Sequence, residues 1–339
     1  MMPPPLIFQP IFREKVWGGR RLADRLGKPL PEGVRIGESW ELADLPDSIP
    51  GGRSMIANGP WRGRTLREIL HEQREWLIGS AELTEEGGFP LLIKYLDAQE
   101  NLSVQVHPDA DYVREHPEAH LKSEAWVVID AEPGAVIYKG LKPGVTEADL
   151  RAHVGTPAIR EDLIAIPARP GACHYLPSGT VHALGAGVLV AEVQTPSDTT
   201  FRIDDWGRTD REMHLEEALA CIRFGRDERF SGRAAPPPID VGPTRTEELV
   251  RTVYFEIERI TMREAGLLEI VTSGMPEVWM ILSGSGRVEA SGEPMISLEP
   301  GRTMLIPAGL RGAVARGTAG LCWLRVSLPA PTQGMMAST

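Results

Sequence analysis

The hydrophobic residues of the chain fall mainly into short runs that alternate with Pro and Gly. Between residues 89 and 207 these runs are rich in β-branched, aromatic and aliphatic side chains, as in LSVQVH, EAWVVID and GVLVAEVQT. Runs of this length, bounded by turn-forming residues, are typical of strands in an antiparallel barrel or sandwich. The same rhythm returns from about residue 249. The pattern therefore predicts a mainly β protein.

Helices and a linker interrupt the strand pattern. Apolar residues recur at helical spacing near residues 65–79, 146–154 and 215–225, which predicts three inserted helices. A polar, proline-rich stretch follows, in which hydrophobic residues recur at neither the helical nor the strand spacing. Such a stretch is typical of a linker. We therefore predict a first region at 1–227, a linker at 228–248 and a second β region at 249–330.

A repeat relates the two β regions. Residues 171–182 follow the pattern G-x5-P-x-G-x2-H, and residues 301–312 follow the same frame but end in glycine. Each copy is preceded by a strand pattern that begins Glu-x-Trp, at Glu124 in the first copy and at Glu277 in the second. The glycines and the proline predict a tight turn between paired strands. Only the first copy ends in a residue that can bind a metal, His182.

Four residues of the first region form a candidate metal site. Gln105 and His107 are two positions apart in a strand pattern, so alternation points both side chains to one face. Glu124 and His182 supply a carboxylate and a second imidazole. Two imidazoles and a carboxylate, with an optional amide oxygen and an open position, suit Zn²⁺ or another divalent ion.

Several longer segments resemble one enzyme family. The frame that ends at His182 is similar to the second cupin motif, and the order of segments resembles the type I mannose-6-phosphate isomerases of the shorter bacterial kind. The resemblance covers most of the chain. The segments that carry it are VWGGRRL at 16–22, IGESWELAD at 36–44, FPLLIKYLDAQENLSVQVHPD at 89–109, KSEAW at 122–126, LPSGTVHALGAG at 176–187 and QTPSDTTFRIDDWGR at 194–208.

The resemblance implies a fold and an arrangement of domains. It implies two cupin jelly-roll barrels with a few inserted α-helices. The catalytic barrel with its N-terminal strands would occupy 1–227, and the barrel at 249–330 would lack metal ligands. In that fold the last position of the repeat points into the barrel, where Gly312 offers no side chain to a metal.

The resemblance also implies a ligand set and a reaction. The zinc-site residues would be Gln105, His107, Glu124 and His182, with one Zn²⁺ per chain or another divalent ion in its place. The reaction would interconvert mannose 6-phosphate and fructose 6-phosphate through an enediol that the metal stabilises.

Further roles follow for basic residues near this set. Arg202 would be the active-site arginine, which steadies an oxyanion because a guanidinium stays protonated. Lys122 is a candidate catalytic group, whereas Lys94 and Gln105 would contact the substrate. The general base stays open among zinc-bound water, Lys122 and Glu41.

The sequence departs from the family pattern in two places. Ala110 follows the His-Pro-Asp run where a second acidic residue is common, and Cys173-His174-Tyr175 replaces the usual aromatic or aliphatic residues before the turn. Neither change touches the proposed ligands. Both leave room for an altered sugar preference.

The composition of the chain argues against some classes of binding partner and indicates a cellular compartment. The formal charge of −11 over 339 residues, without a Lys/Arg run, argues against a nucleic-acid or anionic-membrane surface. Three scattered cysteines indicate neither disulfides nor a thiolate zinc site. No apolar stretch is long enough to span a bilayer. We predict a cytoplasmic monomer or homodimer that acts on a small sugar phosphate.

Three alternatives remain at this stage. One is an iron-dependent cupin oxygenase, which normally has a second inward histidine where Gln105 stands. Another is a sugar-binding or regulatory cupin without turnover. The third is an isomerase for a different sugar phosphate.

Overall fold

The computed structural model describes residues 3–225, 236–290 and 292–330, which form a mainly β, antiparallel structure. Up to residue 225 its elements are β1 (Leu6–Ile7), β2 (Ile11–Gly19), α1 (Arg21–Leu26), β3 (Ile36–Leu42), α2 (Leu66–Glu72), α3 (Arg74–Ile78), β4 (Leu92–Ala98), β5 (Val104–Val106), α4 (Ala110–Glu115), β6 (Glu124–Ala131), β7 (Val136–Leu141), α5 (Glu147–His153), α6 (Ile159–Asp162), β8 (Leu163–Pro167), β9 (Cys173–Leu176), β10 (His182–Leu184), β11 (Val188–Gln194), β12 (Phe201–Asp204) and α7 (Leu215–Cys221). After residue 236 they are β13 (Ile239–Val241), β14 (Thr244–Arg251), β15 (Glu256–Met262), β16 (Gly266–Ile270), β17 (Glu277–Ser283), β18 (Gly286–Ala290), β19 (Ile296–Leu298), β20 (Thr303–Ile306), β21 (Ala313–Gly317) and β22 (Cys322–Ser327).

One compact unit comprises the described residues of 10–45 and 91–234. It contains a six-stranded sheet, in the order β2-β3-β4-β11-β6-β9, and a five-stranded sheet, in the order β12-β5-β10-β7-β8. Inward side chains of both sheets form a shared apolar core, because alternate residues of each strand face the opposite sheet. That core includes Leu96, Trp126, Leu176, Ile137 and Leu184.

The other unit comprises the described residues of 1–9, 46–90 and 235–339. It contains a seven-stranded sheet, in the order β1-β20-β17-β22-β15-β14-β13, and a four-stranded sheet, in the order β16-β21-β18-β19. Their inward residues again share a core, which includes Ile281, Trp323, Val288 and Ala315.

The predictions of a mainly β fold and of three helical stretches are confirmed. The stretch at 65–79 forms two consecutive helices, α2 and α3, and those at 146–154 and 215–225 form α5 and α7. Thr65 and Thr146 begin α2 and α5 with capping boxes, in which side chain and backbone satisfy each other's hydrogen bonds. The helices α1, α4 and α6 have four to six residues, too few to leave a periodic signal. Every helix in the described part of the chain is too short or too polar to cross a lipid bilayer.

The chain crosses between the two units more often than the sequence suggested. The described residues of 1–9 and 46–90 pack in the unit that also holds the C-terminal strands. Residues 226–235, which include part of the predicted linker, lie outside the described residues. The remainder of that linker forms β13 and most of β14. The strand TRTEELVR is mostly half-buried and has a register shift between Glu248 and Val250, so its sequence shows no clear alternation of apolar and polar residues.

The repeat appears as equivalent strand pairs in the two units. Glu124 of β6 pairs with Leu176 of β9, and Glu277 of β17 pairs with Ile306 of β20, each one residue before the proline of the turn. Gly179 occupies the turn of the first copy with a φ of 83°. A Cβ there would lie 2.9 Å from the Cys221 carbonyl oxygen, so the turn requires glycine.

Candidate metal centre

Strand pairing brings the predicted ligands of the first copy together. His182, the first residue of β10, lies opposite Gln105 of β5. His107 follows β5 directly, and its carbonyl oxygen accepts a hydrogen bond from the Gly179 amide in the turn that leads to His182. Glu124 begins β6 in the facing sheet. The tight turn therefore fixes two ligand segments relative to each other.

The three strongest ligands converge on one point. Glu124 Oε1 lies 3.2 Å from His182 Nε2, and Glu124 Oε2 lies 3.5 Å from His107 Nε2. One ligand atom from each residue falls within 4.8 Å of the others. All three side chains are buried, at 1% exposure or less. The predicted trio of His107, Glu124 and His182 is thus assembled in the structure.

Backbone carbonyls orient both imidazoles. His107 Nδ1 lies 3.1 Å from the Thr199 carbonyl oxygen, and His182 Nδ1 lies 2.8 Å from that of Thr180. Because a carbonyl only accepts, each Nδ1 carries the proton and donates it there. Each Nε2 then presents its lone pair towards Glu124, the arrangement that supports a metal-binding histidine.

The charges of the site favour the metal-binding protonation states. Burial alone would raise the pKa of Glu124, but the Lys122 ammonium and the contacts with His107 and His182 outweigh it and hold that pKa well below its usual range. Burial, together with the positive charge of Lys122, lowers the pKa of His107 to about 3. Glu124 is therefore a carboxylate and His107 a neutral imidazole near pH 7, as divalent ions require.

The donor atoms of this trio fit a divalent cation. His107 Nε2 and both carboxylate oxygens of Glu124 are buried, and within the described ranges none of them makes a hydrogen bond of good geometry, although the Lys122 ammonium lies 3.0 Å from Oε2. Polar atoms left in that state cost about 1–3 kcal/mol each. A cation bound by two imidazoles and a carboxylate would satisfy all three atoms at once.

Gln105 borders this trio. Its Nε2 lies 3.2 Å from His182 Nε2, and its Oε1 accepts a hydrogen bond of 3.3 Å from Ser103 Oγ. A half-turn of the amide group would exchange the oxygen and nitrogen positions. Gln105 therefore stands where its oxygen can join the ligand set.

Lys122 and Lys94 lie at the site in different surroundings. Lys122 Nζ is 3.0 Å from Glu124 Oε2. Lys94 Nζ donates to Gln194 Oε1 at 2.7 Å and lies 3.0 Å from Glu192 Oε2 and 3.9 Å from Glu38 Oε2. Burial would lower the pKa of Lys94, but these two carboxylates outweigh it and raise that pKa.

Arg202 and Glu41 are placed less directly. Arg202 of β12 lies opposite Gln105, so it shares the sheet face of the ligands, and its Nη1 donates to the Glu212 carbonyl oxygen at 2.5 Å. Glu41 instead accepts hydrogen bonds from Lys28 Nζ and Ser39 Oγ. The described contacts of Glu41 therefore do not bring this candidate base to the trio.

Sequence reasoning missed the buried polar residues around Lys94. Glu192 is 2% exposed and accepts a hydrogen bond from the Trp126 indole, and Gln194 is fully buried. Both lie in the otherwise apolar run VLVAEVQ, two positions apart. Paired polar residues at strand spacing within an apolar strand were the available signal.

Known proteins are similar to this chain in sequence and in fold. Residues 6–127 match the family model described as the phosphomannose isomerase type I catalytic domain. The mannose-6-phosphate isomerase ManA of Bacillus subtilis is 35% identical over 315 residues, which cover 90% of this chain and 94% of that protein. The mannose-6-phosphate isomerase of Streptococcus mutans is 33% identical, with 90% and 93% covered.

A solved structure gives the same result. The mannose 6-phosphate isomerase from Bacillus subtilis superimposes with a TM-score of 0.84 at 31% identity, and the match covers 96% of this chain and 99% of that one. The similarity thus extends over both units, whereas the family model covers only the N-terminal third. On this evidence the chain belongs to the type I mannose-6-phosphate isomerase family.

Proposed function

We propose that this protein catalyses the reversible aldose–ketose isomerisation of mannose 6-phosphate and fructose 6-phosphate. The relatives of matching length are named for this activity. The observation that carries the proposal is the buried cluster of His107, Glu124 and His182, whose ligand atoms converge in a chain of this family. Moving a proton between C1 and C2 through an enediol requires a site that stabilises negative charge on the sugar oxygens.

Zn²⁺ is the proposed cofactor, held by His107, Glu124 and His182 with Gln105 as an additional ligand. Neutral imidazoles and a carboxylate are donors that Zn²⁺ accepts, although Mn²⁺ and Co²⁺ accept them too. A bound divalent ion would supply Lewis-acid polarisation of the sugar oxygens, often worth several kcal/mol in rate.

Other side chains of the site receive complementary roles. Lys122 is proposed to move a proton at the reacting carbons, because its Nζ lies beside Glu124. Arg202 is proposed to stabilise the developing oxyanion, and its place opposite Gln105 supports that role. Lys94, held by Glu192 and Gln194, is proposed to donate a hydrogen bond to a substrate hydroxyl.

We also propose a domain organisation, a cellular location and an oligomeric state for this protein. We propose that the C-terminal cupin barrel binds no metal, supported by Gly312 at the position of the histidine in the repeat. The division at 227 and 249 between a catalytic and a metal-free domain is a proposal of the same kind. Cytoplasmic location, as a monomer or homodimer, is a further proposal; the described residues contain no recorded disulfide, which agrees with a reducing compartment.

The test is metal-dependent turnover. The purified protein would be stripped with a chelator, reloaded with Zn²⁺, Mn²⁺ or Co²⁺, and assayed for conversion of mannose 6-phosphate into fructose 6-phosphate. His182→Ala should lose metal and turnover, whereas His71→Ala, which removes an exposed imidazole, should keep both. Full metal binding without turnover of any hexose phosphate would reject the isomerase and favour a sugar-binding protein.

A further inference from the structure

An open cleft in the unit that holds the C-terminal strands has no role in the function proposed above. Its volume is about 740 Å³, within the range of roughly 300–1,000 Å³ that is usual for small-molecule sites. The cleft lies between α3 with its flanking residues and the turn in the second copy of the repeat. The residues that line it include Arg74, Trp76, Ser80, Ala308, Gly309 and Arg311.

The cleft borders the same turn position that the metal centre borders in the first copy. In the first copy the Gly179 amide donates to the His107 carbonyl oxygen at 2.9 Å. In the second copy the Gly309 amide donates to the Trp76 carbonyl oxygen at 2.8 Å. One turn is thus bound to a segment that carries a metal ligand, and the other is bound to α3. The second copy therefore has a cleft where the first copy has its metal site.

The Trp76 side chain is held in place at the cleft. A Cβ on Gly309 would lie 2.7 Å from Trp76 Cδ1, so only glycine permits this approach of the turn to the indole. On another side the indole packs edge to face against Trp61, with ring centroids 5.0 Å apart. Trp76 is half-buried and lines the cleft, so it offers a fixed apolar surface to a bound molecule.

Arg311 brings an anchored cation to the cleft. Its Nη1 donates to the carbonyl oxygens of Leu310 and Ala308 at 2.7 and 3.0 Å. The Thr272 hydroxyl donates to the same Ala308 oxygen at 2.6 Å, which fixes the turn further. Within the described part of the chain Arg311 has no carboxylate partner. Its Nε and Nη2 are therefore left to bind an anion.

A second cation makes the cleft positive overall. Arg74, at the start of α3, also has no carboxylate partner within the described ranges. Two glutamates line the cleft as well, but Glu72 is paired with Arg64 at 2.5 Å. Glu75 is then the one lining carboxylate that is left to oppose the two guanidinium groups. The formal charge of the whole chain is −11, so this local excess of positive charge is unlike the rest of the protein.

We propose that this cleft binds a phosphorylated small molecule, with its phosphate on Arg74 and Arg311 and its organic part against Trp76. A guanidinium donates parallel hydrogen bonds to phosphate oxygens, and two guanidinium groups match a dianion better than a single carboxylate. The cleft shares no residue with the metal-binding trio. The inference therefore does not depend on the isomerase function.

The first experiment measures binding of inorganic phosphate and of glucose 6-phosphate to the Zn²⁺-loaded full chain by isothermal titration calorimetry. Glucose 6-phosphate should bind more tightly, because its ring adds contact with Trp76. Arg311→Met keeps an apolar side chain but removes the charge, and it should weaken binding of both compounds about tenfold or more. Phosphate bound at the metal centre would not respond to this substitution.

Three further variants separate the cleft from general charge effects. Arg74→Met should weaken binding in the same way as Arg311→Met. Ser80→Trp fills part of the cleft without changing its charge and should abolish binding there. Arg287→Met removes an exposed guanidinium of β18, whose partner Glu289 keeps its ion pair with Arg316, and should leave both affinities unchanged. Circular dichroism and zinc content establish that each variant is folded and metal-loaded.

Each result supports or overturns the proposal. Equal affinities in wild type, Arg311→Met and Ser80→Trp, or equal losses in Arg311→Met and Arg287→Met, overturn the cleft as a binding site. Arg311-dependent binding that is no tighter for glucose 6-phosphate than for inorganic phosphate overturns the phosphorylated molecule in favour of a free anion. If Arg311→Met does not fold, Arg74→Met and Ser80→Trp provide the same comparison.

The fate of the isomerase proposal is separate from these results. Wild type that binds glucose 6-phosphate through Arg311 but does not turn over mannose 6-phosphate would reject the proposed function and leave this cleft in place. Turnover with no Arg311-dependent binding would do the reverse.

Discussion

The two copies of the repeat hold a glutamate at the same strand position, Glu124 and Glu277, in opposite electrostatic surroundings. Burial would raise the pKa of Glu124, but Lys122 and two histidines hold that pKa well below its usual range. Burial raises the pKa of Glu277, and the Trp279 indole hydrogen bond does not offset it. One backbone frame thus supports either a charged ligand site or an ordinary packed sheet.

The neighbours of each glutamate explain the difference. In the first copy the Trp126 indole donates to Glu192 on the adjacent strand and not to Glu124. The carboxylate of Glu124 can therefore face the two histidines. In the second copy Trp279 donates to Glu277 itself at 3.0 Å. The cross-strand partner of Trp279 on β22 is Arg325, where the first copy has Glu192. A metal site therefore depends on several matched positions.

The largest effect is expected when the histidine of the first copy is replaced by the glycine of the second. His182→Gly removes one of the three converging ligands, and turnover should fall about 10³-fold or more, because several kcal/mol of transition-state stabilisation depend on the cation. Zinc content after dialysis and the coupled assay measure this. A variant that keeps full zinc and turnover would show that His182 is not a ligand.

Replacing each glutamate by glutamine should lower the free energy of unfolding much more in the first copy than in the second. Glu124→Gln in metal-free protein leaves the buried ammonium of Lys122 unpaired, and the free energy of unfolding should drop by about 3 kcal/mol or more. Glu277→Gln keeps an acceptor for the Trp279 indole, so its cost should stay under about 1 kcal/mol.

Urea unfolding of both metal-free variants at pH 7 makes this comparison. Equal losses in the two variants would mean that the Lys122 contact contributes nothing specific to the first copy.

The sequence was most informative where the fold repeats a pattern. The strand runs and the turn frame identified both copies, and residue alternation with the Gln105-x-His107 spacing identified ligands that the structure brings together. The frame is local, and its glycines and proline act through backbone geometry, which a single sequence displays. The contrast between His182 and Gly312 is therefore visible in the sequence alone.

Other features could not be predicted because they depend on strand register. That Lys139 lies opposite His182, and Glu192 opposite Lys94, follows from pairings between segments distant in the chain. The packing of 46–90 with the C-terminal strands is likewise non-local. Glu41 has the same residue type as Glu124, and only its contacts with Lys28 and Ser39 distinguish it.

The reverse conversion should have a smaller effect. Gly312→His places an imidazole at the repeat position, but the second copy has no matching histidine in its frame, so zinc should stay at one per chain. Gly312 has a φ of 66° and no atom within 4 Å of an added Cβ, so the expected cost of about 1 kcal/mol is backbone strain alone.

Gly312→Ala carries the same backbone strain without the imidazole and is the matched control. A second zinc bound by Gly312→His but not by Gly312→Ala would show that the second copy retains a latent site.

The smallest expected effect is a pH dependence of opposite sign in the two copies. A raised pKa means that Glu277 holds its proton in the folded state when the unfolded chain, with a pKa near 4.5, has lost it. Its contribution to stability is therefore fully present below pH 4.5 and is lost as the pH rises through the folded pKa. Glu124 contributes in the opposite sense, with stability present above pH 4.5 and lost in acid. Unfolding of metal-free wild type and Glu277→Gln from pH 4 to 8 should show the variant gaining on wild type as pH rises, whereas parallel curves would place Glu277 in an environment no different from water.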